Sequence, residues 1–269
     1  MKMKPFLRWV GGKTQLLPHL LELAPKEFKT YHEPFLGGGA LFFALAPKTA
    51  YLSDFNPRLV NAFRCIKEDL QEVVSHMRTF KRTKKCYYEQ RDLLNQEGSV
   101  FFAEPEAAAR FIFLNKTCFN GLWRENAGGG MNVPYGGDRS GMFLDEANLM
   151  ACSIALRAPN LYLNTEDFGD VDKHTSEGDL VYFDPPYIPL TATSFVDYTA
   201  NGFGAPEQLR LRDLALDLKS RGVHVMLSNS DTPLVRELYK MFDLYEVQAR
   251  RSINSNGMGR GKVGELIIR

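Results

Sequence analysis

Tyr31-His32-Glu33-Pro34-Phe35-Leu36-Gly37-Gly38-Gly39, running into Ala40 to Leu45 and then Ala50-Tyr51-Leu52-Ser53-Asp54, decides the fold of this 269-residue chain. Tyr31 to Phe35 is a short strand candidate, the glycines are a turn, Ala40 begins a helix, and Ala50 to Ser53 is a second strand ending in an acid. Strand, glycine turn and helix make the first half of a Rossmann-like unit. Glycines let the backbone pass close beneath a ligand. Asp54 stands where a carboxylate accepts from ribose hydroxyls. The same pattern serves nicotinamide enzymes, and a plain βαβ unit with a tight packing turn would also produce it.

A second decisive stretch lies downstream. Leu180-Val181-Tyr182-Phe183 reads as a buried strand, and Asp184-Pro185-Pro186-Tyr187 follows it. Ligands of open α/β sheets bind at the carboxyl ends of the strands. Two prolines remove backbone donors and hold the chain extended. A carboxylate, unpaired carbonyls and an aromatic face are thereby brought to one cleft. That set suits a flat base with an exocyclic amine. Asp184 and the Pro185 carbonyl can accept from its N–H groups, pulling the nitrogen toward tetrahedral geometry, while Tyr187 stacks on the base. The plain alternative is a common Pro-Pro turn with rim packing.

Between these stretches the chain reads as helical over Pro57 to Lys67, Leu70 to Phe80, Tyr87 to Leu94, Pro105 to Lys116 and Asp145 to Leu156. Thr117 to Arg139, TCFNGLWRENAGGGMNVPYGGDR, differs. It is rich in glycine and asparagine with aromatics and arginines interleaved, and Gly128-Gly129-Gly130 suits a hairpin turn. Arg124 has the fork that reads guanine, and Asn120 can contact adenine or a phosphate; an ordinary surface hairpin has the same composition. Strands recur at Leu161 to Asn164, Val223 to Leu227, Leu244 to Ala249 and Val263 to Ile268, the last two as a hairpin. Helices are expected at Pro206 to Leu218 and Pro233 to Met241, and a loop at Thr191 to Phe203 that substrate would order.

Sheet elements thus lie at 31–54 and again from 160 onward. The expected fold is α/β: a Rossmann-like, doubly wound, mostly parallel sheet interrupted by a helical module carrying a β-hairpin. The expected domains are 1–56 with 158–269 for catalysis and 57–157 for target recognition. There is no internal repeat and no low-complexity linker. The apolar content of 44 % is ordinary, and the net charge of +1 leaves the question of nucleic acid to local patches. No membrane span or signal peptide is evident. Cys65, Cys86, Cys118 and Cys152 are scattered without metal-ligand spacing, so no metal is expected and a reducing cytoplasm fits. Gly12-Lys13-Thr14 imitates a phosphate loop, but Leu7 stands where that pattern needs its first glycine.

Arg8-Trp9-Val10-Gly11-Gly12-Lys13, Glu33 to Gly39, Asn120-Gly121-Leu122-Trp123-Arg124, Asn132-Val133-Pro134-Tyr135-Gly136, Asp184 to Tyr187 and Arg250 to Gly257 occur in that order. Together, over essentially the whole chain, they resemble the DNA adenine methylase (Dam-type) family, which methylates adenine N6 in GATC. The motif order is that of the alpha-class amino methyltransferases. The resemblance implies S-adenosylmethionine as donor, S-adenosylhomocysteine as product, and double-stranded DNA as partner. It implies a donor site made of Trp9, Gly12, Lys13, Glu33, Pro34, Phe35, Gly37, Gly39, Asp54, Asp167, Phe168 and Asp184. The reaction centre would be Asp184, Pro185, Pro186 and Tyr187. Arg8 and Arg124 would read guanines, with Leu122 and Pro134 nearby. Asn120, Asn132, Tyr135, Arg139, Ser194, Arg251 and Asn256 would complete the DNA contacts. Enteric members of the family carry Lys in place of Arg8 and Gly-Tyr in place of Cys118-Phe119. A monomer or weak dimer is expected, and a cognate restriction endonuclease is a candidate partner. Three rivals stand beside this reading: a methyltransferase for RNA or protein amide nitrogen, a nicotinamide dehydrogenase, and a non-catalytic DNA-binding module.

Overall fold

The computed structural model describes residues 3–9, 11–96, 104–126, 128–137, 142–188, 203–250 and 262–269. The strands are β1 (Tyr31–Glu33), β2 (Thr49–Asp54), β3 (Asn160–Thr165), β4 (Leu180–Phe183), β5 (His224–Ser230), β6 (Leu244–Arg250) and β7 (Lys262–Ile268). The helices are α1 (Leu17–Leu23), α2 (Ala40–Leu45), α3 (Pro57–Glu68), α4 (Leu70–Thr79), α5 (Lys84–Gln96), α6 (Pro105–Thr117), α7 (Glu146–Leu156), α8 (Ala205–Ser220) and α9 (Pro233–Leu238).

The strands form one seven-stranded sheet in the order β3-β2-β1-β4-β5-β7-β6. β1 runs parallel to β2 and β4, and β4 parallel to β5; β7 is antiparallel to both β5 and β6. This is the expected Rossmann-like, mostly parallel architecture. All four residues of β4 are buried, as a strand flanked by parallel neighbours requires. The chain winds outward from β1 one way through β2 and β3, and from β4 the other way into β5. β1 and β4 therefore mark the switch point, where Tyr31 faces Leu180 and His32 faces Val181.

Two compact units emerge. The first comprises Met1–Gly12, Gly37–Ala46 and Asn56–Thr165; the second comprises Lys13–Leu36, Pro47–Phe55 and Glu166–Arg269. These bounds differ from the expected segments because residues 1–12, 37–46 and 158–165 fall with the helices. The Phe6 ring lies 6.3 Å from Phe43 of α2 and 4.7 Å from Phe63 of α3, tying both segments to the helical core. In that unit α3 starts on an Asn56 cap that accepts from Arg58 and Leu59 N–H, with Pro57 at the first turn. α6 is buried almost all round, and its Ala107-Ala108-Ala109 run lets α3 and α4 approach closely.

The expected hairpin is reduced. Among the described residues its arms meet in two isolated bridges, Cys118 with Tyr135 and Glu125 with Met131, and in backbone hydrogen bonds such as Phe119 N–H to the Pro134 carbonyl and Asn132 N–H to the Arg124 carbonyl. Side chains supplement these bonds: Asn126 Oδ1 accepts from Gly128 and Gly130 N–H, and the Asn95 side chain pairs with the backbone of Met131. The basic run after α4 is not wholly a loop, because Lys84 and Lys85 already belong to α5, whose first turn is capped by the Thr83 hydroxyl.

Candidate active site and nucleic-acid interface

In the second unit, β1 and β4 release Glu33-Pro34-Phe35 and Asp184-Pro185-Pro186-Tyr187 side by side. Lys13 Nζ lies 2.7 Å from Asp184 Oδ1, with Lys13 5 % and Asp184 20 % exposed. The Ser228 hydroxyl donates to the same Oδ1 at 2.9 Å and shares a 3.0 Å hydrogen bond with the Tyr182 hydroxyl. Burial pushes the Asp184 carboxyl above the usual carboxylate range; the Lys13 ammonium and the Ser228 hydroxyl pull it partway back. Two donors thus converge on one oxygen of a largely buried carboxyl group.

The Pro186 carbonyl accepts from Gln208 Nε2 at 3.0 Å, which fixes the proline turn against α8. The Tyr187 hydroxyl donates to Glu265 Oε2 at 3.0 Å, and Lys13 Nζ stands 4.5 Å from the centroid of its ring. Sequence reading missed Ser228, Gln208 and Glu265. The polar run Ser228-Asn229-Ser230 just past the apolar part of β5 was the available signal, since polar residues at a strand's carboxyl end face the ligand side.

The other expected donor-site residues of this unit fall around the same strand ends. Glu33 is buried and accepts from the Tyr31 hydroxyl at 2.9 Å, and Pro34 is buried beside it. Phe35 stacks on Phe168 with centroids 5.3 Å apart. Phe168 is itself 5 % exposed, and the Arg210 guanidinium lies 4.0 Å from its ring centre. Asp167 caps the following turn by accepting from Gly169 N–H at 2.8 Å and pairs with Arg210 at 2.8 Å. Asp54 ends β2, where its carbonyl accepts from Glu166 N–H.

Trp9, Gly12, Gly37 and Gly39 belong to the first unit. Gly37 has φ +47°, and a Cβ there would sit 2.8 Å from Cδ1 of the Trp9 indole. Glycine is required on both counts. Gly12 N–H donates to the Trp9 carbonyl at 3.0 Å, and Gly39 is the residue before α2.

The first unit also carries the expected recognition residues. Asn115, fully buried, accepts from Arg8 N–H and donates to the Arg8 carbonyl, both at 2.7 Å. Its side chain therefore clamps the backbone of an exposed arginine. Gly121 has φ +66°, and a Cβ there would meet Arg8 Cβ at 2.7 Å. Asn120 is exposed with φ +56°, and Phe119 next to it is 50 % exposed. Arg124 is exposed, and its Nε donates to Asn132 Oδ1 at 2.8 Å. Leu122 is half-buried on the cluster built from Tyr87, Phe113, Met131 and Val133, while Pro134 is exposed. Tyr135 packs 5.4 Å from the Tyr87 ring and donates to the Arg82 carbonyl at 3.3 Å, so it supports the loop from behind. Arg139, Ser194, Arg251 and Asn256 lie outside the described residues. Among those residues no group of three His, Cys, Asp or Glu could hold a metal ion, and no helix is long and apolar enough to cross a membrane.

A Rossmann-like sheet with D-P-P-Y at its switch point defines an α/β enzyme of the methyltransferase type. Residues 9–253 match the model of the D12 class N6 adenine-specific DNA methyltransferases. The chain is 40 % identical over 269 residues to the type II methyltransferase M1.LlaDCHI of Lactococcus lactis subsp. cremoris, covering 99 % of this chain and 95 % of that one. It is 39 % identical over 289 residues to the type II methyltransferase M.MjaIII of Methanocaldococcus jannaschii, covering 100 % and 99 %. It is 36 % identical over 271 residues to the DNA adenine methylase of Escherichia coli strain K12, covering 99 % and 95 %. The chain belongs to the D12 class of adenine-specific DNA methyltransferases, enzymes that depend on S-adenosylmethionine.

Proposed function

We propose that this enzyme methylates N6 of an adenine extruded from duplex DNA, with GATC as its site. The observation that carries the reading is the Asp184 carboxyl group, contacted by the Lys13 ammonium and the Ser228 hydroxyl at the switch point, with the same ammonium against the Tyr187 ring. The Lys13–Asp184 pair offers one cation and one anion, the complement of a zwitterionic amino-acid terminus. The donor set therefore fits S-adenosylmethionine, with Asp54 toward the ribose and Asp167 and Phe168 toward the adenine ring. When bound, that donor supplies a sulfonium methyl and leaves as a neutral thioether, S-adenosylhomocysteine.

Asp184 and the Pro185 carbonyl accept from the target amine and aim its lone pair. Positioning of this kind supplies most of the acceleration. The amine's proton becomes acidic only as the new C–N bond forms, so a weak base suffices. Extruding the base costs roughly a few kcal/mol. Stacking on an aromatic such as Tyr187 returns about 1–3 kcal/mol. Arg124 and Arg8, each held by an asparagine, serve as readers of guanine. A cytoplasmic setting and a type II restriction-modification context extend from the named relatives.

The test is transfer of labelled methyl groups to duplexes carrying GATC or single-base variants, with mass analysis of the modified nucleoside and Asp184→Ala as control. N6-methyladenine confined to GATC is expected, with no product from the variant. Equal methylation of variant sites removes the GATC assignment, and normal turnover by Asp184→Ala removes the site.

A further inference from the structure

We propose that Glu265 is a positioning residue of this reaction, acting through the Tyr187 hydroxyl to fix the plane of the ring on which the target base rests. The inference rests on the site reading given under Proposed function. Glu265 lies 78 positions beyond Tyr187 and outside every motif quoted above. It reaches the site because β7 runs antiparallel to β5, with Glu265 opposite Ser230. The start of β7 therefore lies at the sheet edge where the parallel strands end. Along β7 the side chains alternate: Leu266 and Ile268 enter the apolar core, and Glu265 falls on the other face.

A tyrosine side chain has two torsions, and ring packing alone leaves its plane free to rock. Here the far end is pinned by the 3.0 Å hydrogen bond to Glu265 Oε2, while the Lys13 ammonium stands 4.5 Å from the ring centre. Lys13 in turn contacts Asp184. One chain of contacts thus links Glu265, the Tyr187 ring, the ammonium and the Asp184 carboxylate. Loosening its first member lets the stacking surface shift relative to the acceptor.

The experiment is steady-state kinetics on a GATC duplex with Glu265→Leu, Glu265→Gln, Tyr187→Phe and the double variant Tyr187→Phe/Glu265→Leu, with thermal melting of each. A displacement near 1 Å lowers turnover by up to about 100-fold, so Glu265→Leu should lose about 10- to 100-fold in kcat, with KM for donor and DNA within about two-fold. Tyr187→Phe should lose the same factor, and the double variant no more than either alone. Glu265→Gln keeps an acceptor oxygen and should remain within about three-fold of wild type. Wild-type kcat in Glu265→Leu, losses that multiply in the double variant, or Glu265→Gln as slow as Glu265→Leu would each overturn the proposal. If Glu265→Leu does not fold, Tyr187→Phe at full rate overturns it on its own. Asp184→Ala separates the two claims: an inactive Asp184→Ala beside a fully active Glu265→Leu sinks only this inference.

Discussion

Replacing Lys13 with methionine tests the site most directly. The change keeps an unbranched side chain one atom shorter and deletes the charge 2.7 Å from Asp184. Breaking a buried pair by removing one partner generally costs about 3–5 kcal/mol. Here a ceiling follows from proton uptake, because an unpaired carboxylate can always escape by becoming neutral. At pH 7 the escape costs about 1.4 kcal/mol per unit between the pH and the ordinary value of 3.8, about 4 kcal/mol in all. Burial has already raised the carboxyl in the wild type, which lowers the ceiling further. At pH 5 the same arithmetic leaves less than about 2 kcal/mol. Urea unfolding of wild type and Lys13→Met at pH 7, 6 and 5 should therefore show a gap that narrows as pH falls. Adding Asp184→Asn, which needs no counter-ion, should remove the pH dependence of the gap. A gap of constant size from pH 7 to 5 would show that Lys13 does not hold Asp184 ionised, and the proposed reaction centre would lose its anion.

Arg124→Ala should relax discrimination at one base pair by about 1–3 kcal/mol, with Asn132→Ala following in the same direction; a uniform loss on all sequences would mark a phosphate contact instead. His32 is fully buried and lies 3.1 Å from Asp179. Burial holds its imidazole below the usual 6.5, outweighing the pull of Asp179, so the unfolded chain takes up a proton that the folded chain refuses. Stability should be level above pH 6.5 and fall as pH drops toward the lowered folded value, and His32→Leu should flatten that fall in melting curves. An unchanged acid limb in His32→Leu would assign it to other groups. Lys81, Arg82, Lys84 and Lys85 form a basic run, and Arg82 is tied to the proposed recognition loop through the Gly137 carbonyl. Each lysine among them that meets a DNA phosphate should take about 0.9 from the log–log salt slope of binding when changed to alanine, and a slope equal to wild type in the triple lysine variant would place the run in solvent.

Much of this protein is legible before folding is considered. Period-two and apolar runs locate β1, β2, β4 and β5; Asn56-Pro57 and Glu104-Pro105 announce α3 and α6; and the glycine turn and D-P-P-Y mark the two strand ends that meet at the switch point. These are local signals, each set by a few neighbouring residues. What they do not contain is the partner of each group. The hairpin's glycines were visible, yet the Asn95 side chain on α5 that holds the Met131 backbone was not. Likewise Arg8 was a plausible base contact, but the Asn115 clamp is visible only in the folded chain, because it joins residues 107 positions apart.

By itself, then, the sequence determined the class of sheet and the order of its motifs, and it singled out Asp184 as the candidate acceptor. The tertiary structure alone decided which groups contact that carboxyl and the ring beside it. Ser228 and Glu265 arrive there because a parallel β5 and an antiparallel β7 bring opposite ends of their strands to one edge of the sheet. Strand direction and register are long-range choices, made by the burial of both faces rather than by any local run of residues.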